Sequence, residues 1–504
     1  MPHFKEMPVS PGQIFLFPVS LDESVPDDSD VRILNEVMES LDWCELESSY
    51  SEIGCPPYPP RVLAKILAYA YSRGVRSSRK IEDLVKNDRR YIWLAGSLEP
   101  DHNTLARFRH DKWHELSNLY ADSVRVCSEA GLVFLNVVSA DGSRIPAQSS
   151  KKAMYCKSKL DREMERVEQI LREAEEADRA EDELYGAAGG RDLPSGLKDP
   201  MKRKAKLEEI ARHLRESKGR MVSATERDAR MMKTRNGNRP CYSLEAAVDA
   251  ANHVIVGMHV TQAENDHGQV SKLLEEVEAN TGSSPDTLLA DSGMSDEGTM
   301  KCLEEKGQEA LIPPLEQAQE RKRQDLFCSR CFLPDHERDA LICPAGRTLG
   351  LTSKIKVGGG TYKAYDAHDC RSCSFHAECV KGRNNRRVLI SIVHEQKERM
   401  REKLKTPEGK AMYALRKQTV ETVFGQIKAN LGFDRLLLRG IQGATAEISL
   451  ICMVHNLVKC GRKAGIAVRL ALRRGMRDLF STHWPSNRWL GRPCSGWTPN
   501  QLMF

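Results

Sequence analysis

The feature that most restricts what this chain can fold into is a succession of short apolar runs, two of which stop at an aspartate followed by small residues. Val133 to Ser143 reads VFLNVVSADGS, and Asp286 to Gly293 reads DTLLADSG. A continuous apolar run of this length is the pattern of a strand buried on both faces, and ligands collect at the carboxyl ends of such strands in open sheets. Between the two runs, Ser243 to Thr261 reads as two strands around a tight turn, Asp249 to His253, and residues 267 to 280 carry a helical pattern. Another helix follows the second run, and then a strand in EALIPP, Glu309 to Pro314. The order is therefore strand, hairpin, helix, strand, helix, strand. A lone aspartate at a strand end is more often a turn residue; the ordering is what makes Asp141 and Asp291 candidates for chemistry.

A third acid stands on a helix. From Tyr413 to Lys428 the chain reads YALRKQTVETVFGQIK. At roughly 100° per residue, Glu421 and Lys428 project within about 20° of each other, beside an apolar stripe of Val420, Val423, Ile427 and Leu431. Such an acid is ordinarily paired with Lys417 or Lys428 on the helix surface. The company of the other two acids gives it a second meaning.

Upstream, residues 30 to 125 read as helical throughout, with Val62, Leu63, Ile66, Leu67 and Tyr69 at helical spacing. Ser77 or Ser78, and Asn103 or Thr104, suit helix N-caps. The short helices, together with Arg73, Arg76, Arg79, Arg107 and Arg109, are compatible with a helix-turn-helix-like DNA reader. From Lys157 to about Tyr185 the chain is nearly all charge around Leu160, Met164, Val167, Leu171 and Ala174. A Gly/Pro-rich break follows, and Met201, Leu207, Ile210 and Leu214 resume the pattern, which predicts an antiparallel helical hairpin inserted between strands.

Six of the fifteen cysteines fall between Cys328 and Cys379. Two CxxC pairs, Cys328/Cys331 and Cys370/Cys373, and a CPAG knuckle at Cys343 fit tetrahedral thiolate coordination, because one turn brings both sulfurs of a pair to one ion. The preferred set is Cys343, Cys370, Cys373 and Cys379, with Cys328 and Cys331 as alternates. Zinc is the default metal, and an iron–sulfur cluster accepts the same four thiolates. The first 28 residues hold prolines and no long uncharged run, so no signal peptide or membrane span is predicted and a cytoplasmic location is expected. Charge is nearly balanced, 76 basic against 71 acidic residues, so the total does not mark a polyanion binder. Its distribution does: from Arg462 to the C-terminus eight cations face the single acid Asp478, a tail suited to phosphates.

Taken together, these motifs resemble the DDE-type transposases of bacterial insertion sequences, in a branch with a helical N-terminal domain and a cysteine-rich insert. The resemblance rests on YPPRVLAKILAYAYSRGVRSSRKIEDLVKND with PDHNTLARFR, SADGS, AAVDAANHVIVGMHVT, LLADSG, ICPAG with CRSC, and FGQIKANLGFDRLLLRG. It implies an α/β fold: a ribonuclease H-like catalytic domain over residues 126–460, with a helical insert at about 152–225 and a cysteine-rich insert at about 320–385. An N-terminal tail (1–29) and an all-α DNA-binding domain (30–125) precede it, and a basic tail (461–504) follows. The resemblance makes Asp141, Asp291 and Glu421 the catalytic triad, holding two Mg²⁺ (or Mn²⁺) ions, with Tyr413, Arg416, Lys428 and Arg439 on DNA. A structural Zn²⁺ on the cysteine insert is also expected. The spacing departs at one point: four residues separate Arg416 from Glu421, where the related signature often has three. The implied partners are terminal inverted repeats and target DNA, bound by a homo-oligomer. Two other functions share the sequence features, a stand-alone nuclease of the same sheet class and a catalytically inactive, transposase-derived DNA-binding protein.

Overall fold

The computed structural model describes residues 20–50, 56–185, 195–217, 221–315, 327–357, 360–380 and 385–473. Seven helices open it: α1 (Asp30–Glu39), α2 (Cys44–Ser48), α3 (Pro60–Ser72), α4 (Ser78–Asn87), α5 (Arg89–Ala95), α6 (His102–Asp111) and α7 (Trp113–Glu129). Pro60 sits at the first turn of α3, where a missing amide proton costs nothing. Helix α4 begins at Ser78 after Ser77, as the sequence suggested. Helix α6 is capped instead by Asp101, whose carboxylate accepts from the Thr104 amide at 2.7 Å. A carboxylate is a stronger acceptor there than Asn103 or Thr104 one turn later.

The arginines of this region divide in two. Arg109 is buried, donating to the Tyr71 hydroxyl, the Arg76 carbonyl and Ser78 Oγ. Arg76 donates to the carbonyls of Arg435 and Gly432 and lies over the Phe433 ring, and Arg73 pairs with Asp30. Arg76 and Arg109 thus bind protein groups, whereas Arg73 is exposed. Arg79 and Arg107 are exposed.

Among the described residues the main sheet has six strands. β1 (Val137–Pro146) is followed by a two-strand ribbon of β2 (Met154–Tyr155) and β3 (Val222–Ser223), then by β4 (Arg230–Thr234), β5 (Gly237–Asp249), β6 (Ile255–Thr261), β7 (Thr287–Ala290) and β8 (Glu309–Leu311). The order is β4-β5-β1-β7-β8, with β6 also paired to β5. β1 runs antiparallel to β5 and parallel to β7, and β7 runs parallel to β8. The β5–β6 hairpin turns where expected, its corner held by Asp249, which accepts from the Ala251 and Asn252 amides.

The first strand differs from the reading of the sequence. It starts at Val137, not Val133: Phe134 is exposed and Leu135 has φ 58°. The Asp249 carboxylate accepts both the Phe134 and Leu135 amides, which bends the apolar run before the sheet begins. The strand also continues through Asp141 to Pro146, because its antiparallel ladder with β5 persists after the parallel ladder with β7 has ended. Asp141 is thus a mid-strand residue.

Two segments stand off this sheet. Helices α8 (Lys157–Tyr185) and α9 (Ser195–Glu216) pack as a hairpin around Leu160, Val167, Leu207 and Ile210. The Gly/Pro-rich break between them at 186–194 lies outside the described residues. A second sheet, β9 (Leu333–Asp335), β10 (Ala340–Ile342), β11 (Thr348–Val357), β12 (Gly360–Ala367) and β13 (Arg387–Ser391), forms an antiparallel meander over its own core of Phe332, Leu341, Leu349, Tyr365, Cys370 and Val388. The remaining helices of the main layer are α10 (Gln269–Thr281), α11 (Glu297–Glu305), and three referred to by their ends: His394–Lys405, Pro407–Gly425 and the closing helix Gly440–Arg473.

One hydrophobic core runs from the N-terminal helices through the sheet to the closing helix. The segment Gly440–Lys463 is long and apolar enough to cross a membrane, yet most of it is buried between α7, α3 and β6. Past position 460 the chain remains helical to Arg473, and the rest of the basic tail, 474–504, lies outside the described residues.

Two side chains of the closing helix fix its place. Asn456 accepts from the Ile255 amide and donates to the Ile255 carbonyl, both at 2.9 Å, so its carboxamide caps the first backbone groups of β6. His455 is buried with Nε2 against the His253 carbonyl at 2.8 Å, and burial holds its pKa down to about 4. The unfolded chain takes up this proton near pH 6.5 while the folded chain resists it. Stability should therefore fall as pH drops from about 6.5 to about 4, by about 3 kcal/mol from this group. Urea unfolding across that range should show the loss, and His455→Gln should flatten it.

Candidate active site

The site is assembled by strand register. In the parallel ladder Ala140 pairs with Ala290, so the next residues on the two strands, Asp141 and Asp291, leave the ladder side by side. The helix Pro407–Gly425 crosses β1, β5 and β7. It begins with the Thr406 side chain capping the Gly409 amide and Pro407 in the first turn. Val420 and Val423 are buried against the sheet, and Ile427 and the partly buried Leu431 continue the stripe. Regular winding stops at Gly425, and Gln426–Asn430 form a π-helical turn. Lys428 is therefore displaced from its ideal position relative to Glu421.

Arg416 ties its own helix to β1. Its Nη2 lies 2.8 Å from Asp141 Oδ2 and its Nη1 3.3 Å from Glu421 Oε1, while the residue is only 8% exposed. The extra residue between Arg416 and Glu421 does not pull the guanidinium away from the acids; it sits among them. Tyr413 donates to the Ala290 carbonyl at 3.4 Å, and burial raises its hydroxyl pKa. Lys428 Nζ donates to the Arg144 carbonyl at 2.7 Å, and burial, opposed by Cys241 and reinforced by Arg235 and Arg144, lowers its pKa to about 8. Arg439 is not drawn into this group: it is exposed, near Glu226, at the start of the closing helix.

Burial pushes the Asp141 carboxyl up to about 6 even though the Arg416 charge and the Gly142 amide favour its ionised form; Asp291 and Asp266 push the same way as burial. A carboxylate this poorly compensated draws a cation. The three acids offer hard oxygens suited to a divalent ion, and Arg416 already holds a positive charge between two of them. Among the described residues, no three His, Cys, Asp or Glu side chains stand close enough to enclose an ion in this conformation.

On the opposite face of β1 and β5 lies an acid the sequence reading did not single out. Glu245 is fully buried, accepts from Ser243 Oγ at 2.6 Å and, among the described residues, leaves Oε2 without a partner. Burial, with Asp266 adding to it, raises its pKa to about 7. Asp266 pairs with Arg144 at 2.8 Å. The available signal was a charged residue inside the apolar stretch SLEAAVDA. Gly142 opens the space for these side chains, since a Cβ there would lie 2.7 Å from Glu245 Oε2 and 2.8 Å from Asp266 Oδ1.

The cysteines gather at a second place. Cys343, Cys370, Cys373 and Cys379 line one small cavity beside the second sheet, with Phe327, Phe332 and His376. The Arg347 amide donates to Cys343 Sγ at 3.3 Å and the Arg386 amide to Cys370 Sγ at 3.4 Å. Cys328 and Cys331 hold their sulfurs 3.3 Å apart without lining that cavity.

Two family models match this chain. Residues 342–460 match the Transposase DDE domain, and residues 19–111 match the Transposase domain (DUF772). The chain is related to the DDE transposases. The DDE match takes in the four cavity cysteines, Arg416, Glu421 and Lys428, whereas Asp141 and Asp291 precede it. The match to the second transposase family covers α1 to α6. No curated protein matches the chain closely enough to compare with it.

Replacing Gly142 with alanine should force Glu245 or Asp266 out of a fully packed site. We expect Gly142→Ala to lower stability by about 1–3 kcal/mol, as overpacking does, measured by chemical denaturation against the parent protein.

Proposed function

We propose that this transposase-family protein cuts DNA at the ends of an insertion sequence and joins them to target DNA, with Asp141, Asp291 and Glu421 as the catalytic carboxylates. The observation that carries the reading is that Asp141 and the helix acid Glu421 meet on one buried guanidinium, with Asp291 placed beside Asp141 by the parallel ladder. The sheet supports it: the pairing order β6-β5-β1-β7-β8, with β5 antiparallel and β7 and β8 parallel to β1, is compatible with the ribonuclease H-like domain that the resemblance implies.

Asp141, Asp291 and Glu421 are the residues that would hold two divalent ions, Mg²⁺ by the hardness of the donors. Such a pair, when bound, supplies Lewis-acid stabilisation of the entering and leaving oxygens at phosphorus. The protein's own groups do the rest. Arg416, released from Asp141 and Glu421, would bind a phosphate oxygen of the scissile strand. Lys428, with its lowered pKa and its place on the Arg144 carbonyl, holds a further phosphate, and Tyr413 fixes the helix against the Ala290 end of β7. The nucleophile is water in cleavage and a DNA 3′-hydroxyl in joining. Neither step forms a bond between protein and DNA.

The test is a Mg²⁺-dependent cleavage and joining assay on DNA carrying the element's own ends. Asp291→Asn and Glu421→Gln should each lower both reactions by roughly a thousandfold, about 4 kcal/mol in the barrier, while end binding persists. Near-parental cutting by a folded Glu421→Gln protein would overturn the assignment. Binding with neither reaction in the parent protein would favour the DNA-binding reading of the same fold.

The cavity cysteines are read as a structural zinc site. Backbone amides aimed at Cys343 and Cys370 sulfur stabilise thiolates, which is what a tetrahedral ion requires. Purified protein should contain about one zinc per chain by elemental analysis. Cys370→Ser should lose it and lower the melting temperature, while Cys328→Ser should keep it.

A further inference from the structure

Beyond Asp141, β1 runs unbroken for five residues to Pro146, and there the surface opens into a polar groove of about 430 Å³. One wall is the chain just after β1, ending at Lys151. The other is the β4–β5 hairpin, with Asn236, Asn238 and Arg239, and Arg435 lies across the gap. Among the described residues no carboxylate lines this groove. Lys151 and Arg435 are exposed and Arg239 is half-buried, and among the described residues none of the three has an acidic partner within ion-pair distance. Arg235, exposed at the hairpin turn, is near enough to Lys428 to help lower its pKa. Elsewhere around the main sheet Arg144 is paired with Asp266, Lys306 with Glu278 and Lys403 with Glu309.

Like charges gathered in one concave surface repel each other unless an anion lies between them. Here they follow the strand that carries Asp141, with Lys428 on the Arg144 carbonyl standing between the acids and the groove. Five strand residues span about 17 Å, which matches about five base pairs of duplex at 3.4 Å each.

We propose that this groove, through Lys151, Arg239 and Arg435, holds the phosphate backbone of the DNA about five base pairs from the phosphate positioned at Asp141. The inference rests on the DNA-cutting function proposed above and adds the path that the duplex takes away from the carboxylates. The contacts are to phosphate, so they set register and affinity without reading sequence.

The experiment uses the full chain with Asp291→Asn, so that DNA stays intact, and a fluorescent duplex carrying the element's ends. Binding is followed by anisotropy from about 50 to 200 mM salt, where each phosphate contact contributes about 0.9 to the slope of log K against log salt. Adding Lys151→Ala, Arg239→Ala and Arg435→Ala should lower that slope by about 2 to 3. It should also remove hydroxyl-radical protection about five base pairs from the cleavage position, leaving protection elsewhere in place. The single variant Arg239→Gln should lower the slope by about 1 and serves where the triple variant melts early. An unchanged slope and footprint in folded variants would overturn the groove assignment while leaving the transposase reading intact. A parent protein that binds no DNA would overturn both.

Discussion

The parallel pairing of β1 with β7 is the constraint on which the candidate site depends. Two strands far apart in the chain are joined through Val137↔Thr287 to Ala140↔Ala290, and the ladder stops one residue before each aspartate. Backbone hydrogen bonds thereby fix the separation of two carboxylates that their like charge would otherwise drive apart. Because β7 ends there while β1 continues along β5, Asp141 has a free edge on one side and a supporting strand on the other. Into that edge the helix Pro407–Gly425 brings Arg416 and Glu421. Moving the β1–β7 register by one residue would turn Asp141 to the opposite face, toward Glu245 and Asp266.

The N-terminal helices and the sheet are locked by buried polar groups as well as by apolar packing. Glu447 of the closing helix is fully buried, accepts the Leu437 and Leu438 amides and faces Arg76 and Arg109 from the N-terminal helices. Arg76 in turn grips the carbonyls of Gly432 and Arg435 just past the Glu421 helix. A buried carboxylate left unpaired would be strongly destabilising, so this set binds the N-terminal helices to the segment behind the site. It also accounts for Arg76 and Arg109 among the five arginines of that region: a guanidinium with five donors serves as well inside a protein as on a phosphate.

Much of the architecture was legible beforehand because it rests on local pattern. The helices of residues 30–125, the hairpin cornered at Asp249, helix α10, the β7 run and the charged helical arm all follow from periodicity and turn chemistry. The failures have specific causes. Val133 to Leu135 look like strand, and only the distant Asp249 carboxylate, accepting two of their amides, bends them away. The cap of α6 fell to Asp101 because a carboxylate outcompetes its neighbours for the same amides. The even helical projection of Lys428 beyond Glu421 was lost to a π turn that no spacing rule foresees.

The sequence by itself determined which residue types were available: apolar runs ending in acids, a helix mixing Glu421 with Arg416 and Lys428, and cysteines in knuckle spacing. These are fixed by composition and period, which each segment carries alone. Only the tertiary structure decided that Arg416 stands between Asp141 and Glu421, that Arg439 faces elsewhere, and that Glu245 is buried behind Gly142. It likewise decided that Lys151, Arg239 and Arg435 share one groove. Those relations join residues tens to hundreds of positions apart. Their distances are set by strand register and helix docking, which the whole chain settles together.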